Sequence, residues 1–347
     1  MSNRPLEKVS TGLRTVTAPN SGTEQSRASK TAQPSNGLAN HALEHIGDIM
    51  ETGQNTRTRT LLPGRGREGG LELILRVAVA AEFIGHGAFG IFGKEGWVAY
   101  YAALGIPESA AWVLMPITGG VDIILGLLVL AWPMRLPVAW MAFWGLFTAT
   151  LRPLAGESIW EVVERSYNYG VPLLLLLVYG IGTATERRSL RHWLTVVREV
   201  PVITTAQKKK FAMLLRVVIG LYLIGHGALG LIAHKGLLLK GYASIGLNNL
   251  VDDPATLNTA IGSFEIVLGL LVLSYPHKAI LAGVLVWKLA TEMLYVTMGA
   301  YGAGFEVLER ASSYAAPLAL IYLTSRLGGK SASEPDEGKE RQPAGRS

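Results

Sequence analysis

Ile84-Gly85-His86-Gly87-Ala88-Phe89-Gly90 returns 140 residues later as Ile224-Gly225-His226-Gly227-Ala228-Leu229-Gly230, identical at six of seven positions. Two further blocks repeat in the same order. Val121-Asp122-Ile123 through Pro133 returns as Phe264-Glu265-Ile266 through Pro276, with eight of thirteen positions identical. Glu161-Val162-Val163-Glu164-Arg165 returns as Glu306-Val307-Leu308-Glu309-Arg310, and a proline, Pro172 or Pro317, stands seven residues beyond each arginine. The offset drifts only from 140 to 143 to 145, so insertions between the copies are confined to loops. Residues 71–182 are thus written a second time at 212–325.

Both copies are built from apolar runs of membrane-spanning length. The 347-residue chain is 49% hydrophobic and only 17% charged, with many charges in the tails and in one linker. Outside those segments the runs reach about 20 residues, the length a helix needs to cross ~30 Å of hydrocarbon. The chain has no cysteine, which excludes disulfides, thiolate metal sites, iron–sulfur ligation and a catalytic dithiol. A pI near 9.4 invites a nucleic-acid reading. The basic residues cluster beside the apolar runs, however, which the positive-inside bias explains and which implies no nucleic-acid partner.

The pattern predicts an all-α integral membrane protein with eight transmembrane helices in two tandem four-helix bundles. The spans fall at about 71–92, 110–131, 136–153 and 160–182, then 212–233, 257–275, 279–300 and 305–325. Four spans per copy give both copies the same orientation, hence a pseudo-two-fold along the membrane normal. Residues 1–70 read as a polar tail without a signal-peptide pattern. A short amphipathic helix within 37–52 places His41 and His45 four residues apart, too few ligands to specify a metal. Residues 183–211 read as a basic linker and 326–347 as a second tail. Arg57, Arg59, Arg65 and Arg67 precede the first span; the linker carries Arg187, Arg188, Arg191, Arg198 and Lys208 to Lys210. Arg135 and Lys278 mark turns on the same side by counting. Both termini and the linker are therefore expected in the cytoplasm, with 93–109 and 234–256 outside. Trp97, Tyr100, Tyr101 and Trp112 flank spans as headgroup anchors would.

Ionisable residues at membrane depth are costly, so each is a functional candidate or a structural pair. His86, Asp122, Arg152 and Glu164 are the candidate catalytic groups. His86, His226, Glu265 and Glu309 are the candidate cofactor-binding groups. Counting along the helices brings His86, Asp122 and Glu164 to one depth in the outer half of the bilayer, and His226, Glu265 and Glu309 to its counterpart. The glycines beside each histidine permit close helix approach, in which case the histidine needs only a hydrogen bond from a neighbour. Proton relay or ligand binding is the functional alternative. Haem ligation by His86 and His226 across the pseudo-two-fold is a third, thinly supported by one histidine per copy. Glu164–Arg165 and Glu309–Arg310 are adjacent in sequence and do not face each other on a regular helix. Their expected partners are Asp122, Glu265 and Arg152. Lys288 has no equivalent in the first copy, and Tyr295 stands at the position of Arg152, so the first copy is expected to hold the working pocket.

An arginine opening the first span, then Ile-Gly-His-Gly, then a loop ending Ala102-Ala103-Leu104-Gly105-Ile106-Pro107, resembles the DoxX-like family of four-helix membrane proteins. So do the acids of the second spans and the glycine-spaced aliphatic runs after them, Asp122 to Leu130 and Glu265 to Leu273. Two features depart from the family pattern. Gly90 and Gly230 stand where the family carries lysine, with Lys94 and Lys235 further on, and Asp122 replaces the family glutamate. The resemblance implies a tandem fusion of two such units. It also implies service as a membrane subunit of a redox assembly, as in thiosulfate:quinone oxidoreductase, with a pocket for a quinone or small hydrophobic ligand and a partner subunit bearing the redox centre. A proton-coupled small-molecule transporter and a membrane anchor for a partner subunit are the rival readings.

Overall fold

A computed structural model describes residues 69–328. The tails, with His41, His45 and the short helix expected around them, lie outside the described residues. The first copy comprises α1 (Gly69–Phe92), α2 (Val98–Ala103), α3 (Glu108–Ala131), α4 (Arg135–Leu154), α5 (Trp160–Glu164) and α6 (Ser166–Tyr179). Two short helices follow in the linker, α7 (Ala184–Arg187) and α8 (Leu190–Leu194). The second copy comprises α9 (Thr205–Leu231), α10 (Gly236–Ser244), α11 (Pro254–Ser274), α12 (Lys278–Glu292), α13 (Leu294–Thr297), α14 (Ala303–Glu309) and α15 (Ala311–Gly328). No strand occurs among the described residues beyond an isolated bridge between Met134 and Val196.

Five helical segments are long and apolar enough to cross a membrane: α1, α3, α9, α11 and the stretch Lys278–Thr297. Their outward faces are apolar, with Val113, Ile117, Ile124 and Leu127 exposed on α3 and Phe264, Val267 and Leu270 on α11. Such a surface is unfavourable in water and neutral in hydrocarbon, so these helices contact lipid and the chain is a multi-pass membrane protein.

α1 and α9 form the centre. Leu71, Leu75, Val79 and Phe83 repeat every four residues along one face of α1, and Phe211, Leu215, Ile219 and Leu223 do the same on α9. Both stripes enter one core with Tyr167 and Val171 of α6 and Ala316 and Leu320 of α15. In a bilayer such packing gains nothing from leaving water, and each atom contact is worth only ~0.1–0.2 kcal/mol, so many close contacts are needed. Glycine supplies them. A Cβ on Gly87 would strike the Gly119 carbonyl of α3, and one on Gly227 would strike the Gly262 carbonyl of α11.

The two copies interlock rather than standing as separate bundles. Gly85 of α1 lies against the backbone of Glu309 in α14, and Gly225 of α9 lies against that of Glu164 in α5. Lys94 bonds Glu306 at 2.8 Å, and Lys235 bonds Glu161. These contacts come in reciprocal pairs, as across an isologous interface.

Two local features differ from the sequence expectation. Residues 160–182 and 305–325 do not form single helices: the first is broken at Arg165 (φ −83°, ψ 15°) and the second at Arg310 (φ −96°, ψ 13°). The break re-aims each arginine, which a continuous helix would turn away from its preceding glutamate. The basic linker is also shorter than 183–211. Thr204 and Gln207 form a reciprocal capping box, so α9 begins at Thr205 and takes in Lys208 to Lys210.

Candidate functional site

At the C-terminal end of α1, His86 Nδ1 lies 2.8 Å from Asp122 Oδ2 of α3. Asp122 is 1% exposed. An ionised carboxylate there keeps the proton on Nδ1 and leaves Nε2 for another partner. The His86 ring stacks on Trp97, with centroids 4.5 Å apart and planes 29° from parallel. Trp97 is thus a buried wall of the site rather than a headgroup anchor, because the short helical turn at Glu95–Trp97 folds the loop back over the histidine.

His86 and Trp97 open on a cavity of about 90 Å³. That is below the ~150 Å³ of an engineered cavity that holds benzene, so a compact group fits. Tyr100 and Tyr101 of α2 form one side. Trp144, Thr148 and Arg152 of α4 form another, with Arg165 and Asn168 from the broken fourth helix. The last wall is Glu309, which belongs to the second copy.

Charge around the cavity is arranged in pairs. Arg152 Nη1 reaches Glu157 Oε2 at 3.2 Å and Glu161 Oε2 at 3.5 Å, and its guanidinium lies 5.1 Å from the Tyr100 ring centroid. Tyr100 donates its hydroxyl hydrogen to Glu157. Burial alone would raise the Glu157 carboxyl, but the Tyr100 hydrogen bond and the cations Arg152 and Lys235 outweigh it and hold the group below the usual range. Burial, with the neighbouring Glu157, pushes the Tyr100 phenol up despite Arg152. Arg165 lies 3.7 Å from Glu161 and 3.8 Å from Glu164, both loose pairs. Two donors of this wall, Trp144 Nε1 and Arg165 Nε, are buried without a hydrogen-bond partner.

The second copy repeats the frame and fills it with its own side chains. His226 Nδ1 meets Glu265 Oε2 at 2.6 Å, and Trp287 Nε1 donates to Glu265 Oε1 at 2.8 Å. Lys288 Nζ lies 2.6 Å from Glu292 Oε1, whose other oxygen is 2.9 Å from Arg310 Nε. Arg310 also reaches Glu306 at 2.5 Å and donates to the Tyr295 hydroxyl oxygen at 3.0 Å.

Of the residues singled out from sequence, His86, Arg152 and Glu309 line the cavity, with Asp122 directly behind His86. His226 and Glu265 form their own pair outside it. The expected sets, His86 with Glu164 and His226 with Glu309, are corrected by exchange. Glu309 faces the His86 cavity, while Glu164 lies beside Gly225 and within electrostatic reach of His226. Helix counting does not tell which copy's fourth helix packs on which first helix. Asp122, Glu265 and Arg152 do not partner the Glu–Arg pairs either. The two acids hold histidines, Arg152 holds Glu157 and Glu161, Arg165 turns to its own neighbours Glu161 and Glu164, and Arg310 takes Glu306 together with Glu292 and Tyr295. Trp144 was missed, although Trp287 repeats it at the same 143-residue offset as Asp122 and Glu265.

Comparison with known protein families, with curated proteins and with solved structures finds no match to this chain. The reading of the site therefore rests on its geometry.

Proposed function

We propose that the chain is a membrane subunit that holds a small molecule in the His86 cavity. One observation carries this reading: the first copy keeps a cavity lined by a carboxylate-held histidine, aromatic rings and two arginines, where the second copy pairs Lys288 with Glu292 and Trp287 with Glu265. Aromatic walls with a few convergent polar groups are the general form of a small-molecule site. His86, with Nδ1 engaged by Asp122, has Nε2 left to accept or donate a proton at a bound carbonyl or hydroxyl. Quinone-linked redox work, implied by the resemblance to DoxX-like proteins, suits such a group, with the electrons supplied by a partner subunit.

The proposal includes the architecture. Beside the five apolar segments, α4, the broken α5–α6 and the broken α14–α15 complete four crossings per copy in a tandem of two DoxX-like units. Their polar breaks face the core, and reciprocal contacts such as Gly85 with Glu309 and Gly225 with Glu164 support a pseudo-two-fold axis. Termini and linker lie in the cytoplasm. Because the chain has no cysteine, single replacements report topology cleanly. Ser189→Cys is expected to resist a membrane-impermeant maleimide in intact cells and Ser109→Cys to react; the reverse at either site overturns the orientation.

The pocket is tested with menadione, a tailless quinone, added to the purified protein while tryptophan fluorescence is followed. Saturable quenching that disappears in His86→Ala and persists in His226→Ala is expected. Equal loss in both variants, or none in either, defeats the reading.

A further inference from the structure

Resting on the reading of the His86 cavity as a ligand pocket, we infer that its occupant carries a carboxylate, held by Arg165 as Arg310 of the second copy holds the carboxylate of Glu292, with Trp144 as a second donor at the cavity. The third helices align without a gap at an offset of 143. Pro133 matches Pro276, Arg135 matches Lys278 and Trp144 matches Trp287. Val138 and Met141 are fully buried, and so are their counterparts Leu281 and Val284. In this register Ala149 stands at the position of Glu292, Gly145 at that of Lys288 and Arg152 at that of Tyr295.

The second copy shows what these donors bind when acids are present. Arg310 Nε takes Glu292 at 2.9 Å, and Trp287 Nε1 takes Glu265 at 2.8 Å. In the first copy Ala149 offers no oxygen to Arg165, and Asp122 is one methylene shorter than Glu265 and bonded to His86. The result is two buried donors without partners, Arg165 Nε and Trp144 Nε1, on residues that both line the cavity. Arg165 is 8% exposed. Unmade hydrogen bonds at buried donors are unfavourable, and at an arginine the natural acceptor is a carboxylate.

The charges of the two sites agree with this assignment. Lys288 accompanies Glu292 in the second copy. In the first, Arg152 and Arg165 are the cations at the cavity against the one carboxylate of Glu309, and Glu157, a partner of Arg152, is a third exposed. The rings of Trp97, Tyr100 and Phe147 provide an apolar wall for the remainder of the molecule. A compact carboxylate satisfies the donors, the cations and the volume together, with any ring it carries extending through the open side of the cavity. Glu292 is, in effect, the second copy's built-in ligand.

Benzoate is the probe, with benzamide as its neutral isostere and menadione as the uncharged quinone. Binding to the purified full-length protein is measured by calorimetry and by the shift of the thermal midpoint. Benzoate is expected to bind saturably and about ten-fold tighter than benzamide, the margin of a charge-assisted over a neutral hydrogen bond. Ala149→Glu is expected to fold, because glutamate occupies the matching position in the second copy, and to lose the benzoate response. Equal affinity for benzoate and benzamide, or benzoate binding that survives in Ala149→Glu, overturns the inference. If menadione binds and benzoate does not, the carboxylate fails while the pocket stands. If no probe binds, both fail.

Discussion

The His86 and His226 sites share a frame and differ in what fills it. Each begins with a Gly-His-Gly turn, a carboxylate on the neighbouring helix holding Nδ1, and a tryptophan on the third helix. In the second copy the histidine, the tryptophan and the buried cations of that frame are answered from within: Glu265 serves His226 and Trp287, while Glu292 serves Lys288 and Arg310. The first copy replaces Lys288 and Glu292 by Gly145 and Ala149, and a cavity stands beside two donors without acceptors. One backbone plan thus yields a closed polar core in one half and an open pocket in the other. The difference rests on a few side chains of α4 and α12, not on the fold.

The comparison breaks most visibly at Glu292. Removing it leaves Lys288 buried without its ion-pair partner and Arg310 with Glu306 as its close carboxylate, so Glu292→Ala is expected to destabilise the protein by ~3–5 kcal/mol. Millimolar acetate should restore much of the loss in a thermal unfolding assay. A variant as stable as the parent would show that the second network is dispensable. Next in size are Gly85→Ala and Gly225→Ala, where the new methyl meets backbone that cannot turn aside. Each should cost ~1–3 kcal/mol by overpacking, and the two costs should match because the frame is shared. Unequal midpoints in denaturation would mean that the interlock is itself asymmetric.

Arg152 and Tyr295 test the sites at equivalent positions. Arg152→Gln should weaken benzoate binding by about ten-fold, since glutamine keeps a donor but loses the charged fork. Tyr295→Phe removes only the acceptor for Arg310, about 1 kcal/mol of stability, and should leave titration of the ligand unchanged. Affinity lost equally in both would argue for two working sites. The smallest effect concerns Glu157, found in the first copy alone, with Ala300 at its place in the second. Its carboxyl titrates below the usual range when folded. Its contribution is therefore present above the ordinary glutamate value of ~4.3 and fades as pH falls from there through the depressed folded value. Glu157→Gln should flatten that part of the stability–pH curve slightly, measured against the parent at the same salt.

Sequence reading went furthest where the physics is local. The duplication, the apolar helices and the grouping of His86 with Asp122 and of His226 with Glu265 follow from residues three to four positions apart, or from blocks that repeat. It stopped where partners come from far along the chain. Nothing near Lys94 points to Glu306, and nothing near Gly85 points to Glu309, because a glycine signals close approach without naming what approaches. The fourth helices were read as regular, since three buried charges in five residues, Glu161, Glu164 and Arg165, give no hint that the backbone breaks to bring them together. Trp97 looked like an interfacial ring because its loop reads as polar. Its stacking on His86 depends on a turn of three residues that composition does not reveal.

The exchange of fourth helices between the copies also sets a timetable. A chain made from its N-terminus has His86, Asp122, Arg152 and Arg165 in place long before α14 exists, yet the wall that Glu309 supplies arrives with almost the last helix synthesised. The first half has no finished state of its own to reach while it waits. A single unit of this design would complete its sites only by pairing with a twin, two identical pockets at a time. Joining the twins in one polypeptide releases each pocket from the obligation to match the other.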